Sequence, residues 1–196
     1  MRSCSVLFAT KFRALPPKNK KIRGKGFGGG NVSNRILVDV EEGMEAPSWL
    51  DKIPPFAEKV LEKLDKKDWE VSVLFCTPAF IQKLNKEYRS IDSETDILSF
   101  EDGDEYIDDD GNTVFTAGDI VICIDVFTKN AVEFGVTADE ELKRLIIHGL
   151  MHLSGMDHGE AHISKNRDFE GGTEEDRKML VMQEQLVEFF SSEKIL

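Results

Sequence analysis

The sequence predicts an α+β fold: a single domain with a mixed sheet of about four strands covered by about five helices, and a metal site at the end of a central helix. Three observations carry that prediction. Strand-like and helix-like apolar patterns alternate along the chain, and two late strand-like runs flank an acidic hairpin signal. The chain has 196 residues, 40% of them apolar, which is enough for one substantial core. All four histidines fall between His148 and His162, at the end of the best-marked helical segment.

The elements follow in order. Arg35 to Val40 reads as a first strand, and Pro54 to Lys66 as a helix with Phe56, Val60, Leu61 and Leu64 on one face. Val71 to Cys76 is a second strand. A helix follows from Thr77-Pro78, with Thr77 as N-cap, Pro in the first turn and Phe80, Ile81 and Leu84 apolar. Strand-like runs at Thr95–Phe100 and Asp119–Ile124 are separated by an acidic insert, Glu101 to Ala117. Within it, Asp110-Gly111 marks a hairpin turn between Tyr106-Ile107 and Val114-Phe115. The run Asp108-Asp109-Asp110 lacks the later spacing of a calcium loop and reads as a solvated tip. A helix from Asp125 ends at Gly135. Thr137-Ala-Asp-Glu140 then has the capping-box pattern, Glu140 reaching back to Thr137. Leu142, Leu145, Ile146, Met151 and Leu153 continue that helix until Gly155 stops it. Gly159 to Gly172 reads as a polar loop. Thr173 caps a last amphipathic helix with Met179, Leu180, Met182, Leu186, Val187 and Phe190 on its apolar side, the methionines filling core.

His148 and His152 are four residues apart, so they share a helix face and can reach one ion. After the stop at Gly155 the chain can turn and deliver His158 from outside the helix. Three neutral imidazoles that leave a coordination position open are the pattern of a catalytic metal site. His162 reads as a surface histidine, and Asp157 as a turn residue or a support beside the site. The spacing also matches a metallopeptidase motif, His-Glu-x-x-His-x-x-Gly-x-x-His, with Gly155 in its place. Gly149 stands where that motif has the glutamate that serves as general base. Peptide hydrolysis is therefore the runner-up reading.

The run His148-Gly-Leu-Met-His152-Leu-Ser-Gly155-Met-Asp-His158 resembles the signature of the YbeY family, metal-dependent endoribonucleases of ribosomal RNA maturation. Leu84-Asn-Lys-Glu-Tyr88-Arg89 through Thr95-Asp96-Ile-Leu98-Ser99-Phe100 resembles its second block, and Gly118-Asp119-Ile120-Val121-Ile122 its third. The likeness runs over about residues 35 to 190. Met151 departs from the usual Leu and Met156 from the usual aromatic, and neither is a ligand. The resemblance implies that His148, His152 and His158 hold one zinc ion. It assigns Arg89 to the active-site cleft, and makes His148 and Arg89 the catalytic candidates. Arginine suits phosphate because its guanidinium pairs bidentately. The implied activity is cleavage of single-stranded ribosomal RNA, in maturation of the small-subunit 3′ end and in ribosome quality control. The implied partners are ribosomal RNA and the small subunit with its basic proteins, not DNA or membrane. Asp96 and Asp119 each border a strand-like run, as cleft residues or strand-end caps. A different class remains: a ribosome-assembly factor whose metal is purely structural.

Composition bounds these readings. No run approaches the apolar length of a membrane helix. Cys4, Cys76 and Cys123 are widely spaced, form no C-x-x-C and fit a reducing compartment, hence a cytoplasmic location. The formal charge is −12, yet residues 1–30 hold eight basic residues and no acid. The rest is thus more acidic than the whole, which disfavours bulk nucleic-acid affinity and suits a basic ribosomal protein. The sequence divides into a basic, disordered extension (1–33) and the catalytic domain (34–196). The extension reads in three ways: an RNA-contacting arm, an organelle transit peptide, or an untranslated stretch before a start at Val32.

Overall fold

The computed structural model describes residues 34–164 and 168–196; the basic extension, 1–33, and Cys4 within it lie outside them. Strand β1 (Arg35–Val40) is followed by α1 (Ile53–Lys63), β2 (Trp69–Cys76) and α2 (Pro78–Arg89). The hairpin β3 (Ile97–Ile107) and β4 (Thr113–Cys123) comes next, then α3 (Ile124–Phe134) and α4 (Ala138–Leu153). A two-stranded ribbon, β5 (His162–Ile163) with β6 (Phe169–Glu170), precedes α5 (Glu174–Phe189). The main sheet has the order β1-β2-β4-β3. Its first three strands are parallel and β3 is antiparallel to β4. This is the mixed four-stranded sheet with five helices that the sequence predicts.

Alternation along the strands sends side chains to two faces. Val71, Val73, Phe75, Ile120 and Ile122 enter the larger core, with α1, α4 and α5. Leu74, Cys76, Val121 and Cys123 face the other way, under Ile81 and Leu84 of α2. The sheet is therefore the middle of three layers, and α4 lies on the face opposite α2.

Two stretches differ from their sequence reading. The acidic insert is not a separate element: both strands run on through it, making one hairpin of two eleven-residue strands. Its tip is held by Asp108, whose Oδ1 accepts the N–H groups of Asp110 (3.0 Å) and Asn112 (2.8 Å), while Arg35 pairs with its Oδ2. The polar loop after Gly159 contains the β5–β6 ribbon, pairs too short to announce themselves by alternation.

Helix α4 is central. Every residue of it except Ala138 and Glu140 is buried. Thr137 caps it, its hydroxyl accepting the Glu140 N–H at 3.1 Å, but the Glu140 carboxylate pairs with Arg144. The buried charges are all partnered: Lys143 with Asp139 at 2.8 Å, and Arg144 with Glu140, Glu141 and Glu184. Burial of that many ionic groups is tolerable only with such pairing. Among the described residues, no helix is long and apolar enough to cross a membrane.

Candidate metal centre

The last turn of α4 presents His148 and His152 on one face, as 3.6-residue periodicity requires. Gly155, at φ +81°, turns the chain out of the helix. The Asp157 carboxylate then accepts the N–H groups of His158 (2.7 Å) and Gly159 (3.2 Å), a local turn that swings His158 back toward the helix. Asp157 is thus the turn residue that the sequence allows. The potential ligand atoms of His148, His152 and His158 all lie within 4.8 Å of one another, and all three side chains are buried.

Hydrogen bonding decides which nitrogens are free to coordinate. His152 Nδ1 lies 2.9 Å from the Met156 carbonyl oxygen, which can only accept, so Nδ1 carries the proton. His148 Nδ1 lies 2.7 Å from Gln183 Oε1, again an acceptor. Both Nε2 atoms are therefore left with lone pairs, and they face each other at 3.0 Å. Two lone pairs at that distance repel unless something positive lies between them. His158 has both ring nitrogens buried without a hydrogen-bond partner. A buried, unsatisfied imidazole is costly. Burial, reinforced by His158, pushes the His152 imidazole down to about 4, so it is neutral near pH 7, the form that ligates. Orphaned nitrogens, facing lone pairs and the neutral His152 ring together fit one divalent cation.

The other candidates divide. Asp96 is buried at the start of β3, accepts from Asn130 Nδ2 at 2.9 Å, and lines a cavity with His148, His158 and Gln183. Asp119 alternates with Ile120 and so shares the face of Val121 and Cys123, away from the histidine helix. Arg89 closes the last turn of α2, half-buried, and does not line that cavity. The loop 90–95 leads from it to Asp96. His162 is not the plain surface residue of the sequence reading: it is half-buried in the cavity wall, with Nε2 3.6 Å from Glu170. Gln183 was missed by sequence reasoning. Its signal was a polar residue inside the α5 stripe of Met179, Leu186 and Val187, at the spacing of a core position.

Gly149 is pressed against β4. A Cβ there would meet the Cδ1 of Ile120 at 2.7 Å and its Cγ atoms at 3.0 Å. A glutamate at that position would have to push the Ile120 side chain aside, so the fold offers the peptidase base no ready place.

The family model described as Endoribonuclease YbeY matches residues 40–189. A Treponema denticola protein named Endoribonuclease YbeY is 53% identical over 131 residues, covering 66% of this chain and 83% of that protein. One of the same name from Aquifex aeolicus is 40% identical over 125 residues, covering 64% and 78%. The solution structure of TM1509 from Thermotoga maritima aligns at 27% identity with a TM-score of 0.49, over 78% of this chain and 87% of that one. On the extent of the family match and these identities, the chain belongs to the endoribonuclease YbeY family.

Proposed function

We propose that this chain is a metal-dependent endoribonuclease that cuts single-stranded ribosomal RNA, in maturation of the small-subunit 3′ end and in ribosome quality control. The observation that carries the metal is the pair of Nε2 lone pairs 3.0 Å apart, with the His158 nitrogens beside them unsatisfied. The names of the relatives support the substrate class. Zinc is the ion proposed, since three imidazole nitrogens suit it. The chemistry such an ion supplies is Lewis-acid polarisation of a phosphodiester.

The residues of the chain hold and orient. His148, His152 and His158 direct three nitrogens at one point. Arg89, at the positive-tolerant C-terminal end of α2, binds a backbone phosphate and thereby sets where the strand lies. Asp96, anchored by Asn130, supplies a carboxylate in the cavity wall. Free Cys76 and Cys123 suit a reducing, cytoplasmic setting, and the acidic charge suits docking by basic small-subunit proteins of the ribosome.

Purified protein with small-subunit ribosomal RNA that carries a single-stranded 3′ extension tests the reading. The parent should cut and should carry about one zinc by elemental analysis. His148→Ala should lose the metal and the cutting. Arg89→Ala should keep the metal while cutting falls by roughly 10²–10³, the loss typical of a removed charge-stabilising donor. Equal zinc in His148→Ala and parent sinks the metal site; undiminished cutting by Arg89→Ala sinks its role. Cleavage of casein but not RNA favours a peptidase, and ribosome binding without cleavage favours an assembly factor.

A further inference from the structure

The tautomer of His148 decides whether it can be a ligand, and a proton on Nδ1 is what keeps its Nε2, 3.0 Å from His152 Nε2, free to coordinate. The His148 Nδ1 faces the side-chain amide of Gln183, on α5. An amide is ambiguous, because its oxygen accepts and its nitrogen donates. With the oxygen toward His148, Nδ1 carries the proton and Nε2 is free to coordinate. With the nitrogen toward His148, Nδ1 must accept, the proton moves to Nε2, and the ligand is lost. Some third group has to hold the amide in the first orientation.

That group is next to it. Glu184 Oε1 lies 3.0 Å from Gln183 Nε2. A carboxylate can only accept, so it takes the nitrogen end and leaves the oxygen for His148. The carboxylate is itself fixed by Arg144, whose Nε lies 2.8 Å from Oε1 and whose Nη2 lies 3.1 Å from Oε2, the forked pairing that best restricts a carboxylate. Arg144 is buried, and it also bonds Glu140 at 2.8 Å and Glu141 at 3.0 Å. Gln183 is 2% exposed, so water does not compete for its amide. The result is one line of donors and acceptors, Arg144 to Glu184 to Gln183 to His148, in which every direction is forced by the residue before it.

We infer that Arg144, Glu184 and Gln183 are positioning residues that lock His148 in its ligating tautomer, so that α5 sets the metal affinity of a site carried by α4. The inference rests on the metal reading above. Partners of this kind fix ring orientation and raise ligand basicity, and their loss typically costs about 10–100-fold in metal affinity. The cluster also brings three carboxylates to one guanidinium, which favours a cation nearby.

Two readouts on the full chain test it. Long-range proton–nitrogen NMR of metal-free protein reports which ring nitrogen of His148 bears the proton. The parent should show Nδ1–H, and Gln183→Leu should not. Zinc competition against a chromophoric chelator should show Gln183→Leu weaker by roughly 10–100-fold. Gln183→Glu, which has no donor end, should retain the affinity. Glu184→Gln should weaken zinc in the parent but not in the Gln183→Glu background, because a carboxylate at 183 needs no orienting. That conditional loss separates orientation from simple destabilisation, and thermal unfolding of each metal-free variant checks folding. If Gln183→Leu does not fold, the Glu184→Gln pair still decides. An Nε2–H tautomer in the parent overturns the inference. So does equal zinc affinity in parent and Gln183→Leu, or a Glu184→Gln loss of the same size in both backgrounds. A parent that takes up no zinc overturns the metal reading and this inference with it.

Discussion

Two glycines and two aspartates show how single residues shape this site. A Cβ on Gly118 would lie 2.0 Å from the Phe100 carbonyl oxygen, and its φ of +139° is one that other residues rarely adopt. Gly118→Ala should therefore destabilise the chain by more than about 1 kcal/mol, measured by denaturant unfolding, because both the contact and the backbone angle oppose the methyl. Stability equal to the parent would refute that account. Gly149 has the same logic on α4, where Ile120 occupies the space a side chain would need. Its meaning was legible in sequence as a missing glutamate; that nothing else fits there was not, because Ile120 arrives from a different element. Asp96 and Asp119 were equivalent in sequence, each beside an apolar run. The structure separates them: Asp96 reaches the cavity from the loop just before β3, whereas alternation within β4 puts Asp119 on the α2 face.

At the scale of elements, the N-terminal half of α4 is held by groups distant in sequence. Asp139, in its first turn, accepts the N–H groups of Ile195 (2.8 Å) and Leu196 (3.0 Å) and pairs with Lys143. Lys143 in turn donates to the carbonyls of Phe190 (3.1 Å) and Glu193 (2.6 Å), so one ion pair clamps the C-terminal tail to the central helix. Burial alone would raise the Asp139 carboxyl, but Lys143 and the two backbone N–H groups outweigh it and hold it below its ordinary value. A carboxyl depressed on folding contributes stability above its unfolded value near 3.9, and that contribution is lost as pH falls toward the folded value. Thermal melting against pH should therefore show Asp139→Asn less stable than the parent at neutral pH, with the gap narrowing below about pH 4. A gap that persists unchanged into acid would mean the carboxylate charge is not what matters. The helix caps were readable, since Thr77, Thr137 and Thr173 each accept the expected N–H. The full capping box belongs to Thr173 with Asp176, whereas the Glu140 carboxylate is engaged by Arg144. Capping residues act within four positions, so their pattern is local; what competes for them is not.

For the whole molecule, the metal should be part of the stability. An ion bound only by the folded state stabilises it by about 2.7 kcal/mol at a hundred times its dissociation constant. For a chain of this size that corresponds to roughly 5–11 °C, at about 2–4 °C per kcal/mol. Zinc should raise the melting temperature by that order, a chelator should reverse it, and His148→Ala should abolish the response. An unchanged melting curve would argue that these histidines hold no metal. The three-layer arrangement also explains why Arg89 and the imidazoles are on separate elements: α2 covers one sheet face and α4 the other.

The sequence by itself determined the fold class, the helix that carries His148 and His152, the turn that returns His158, and the exclusion of the peptidase base. These are consequences of covalent spacing: helical periodicity, a glycine stop and a residue type at one position operate over a few residues. Only the tertiary structure decided which nitrogens can ligate, which aspartate faces the cavity, and that Gln183 sits against His148 from 35 positions away. Those depend on which elements pack together, and packing is chosen by the sum of many apolar contacts across the sheet, a sum that no short stretch of sequence contains.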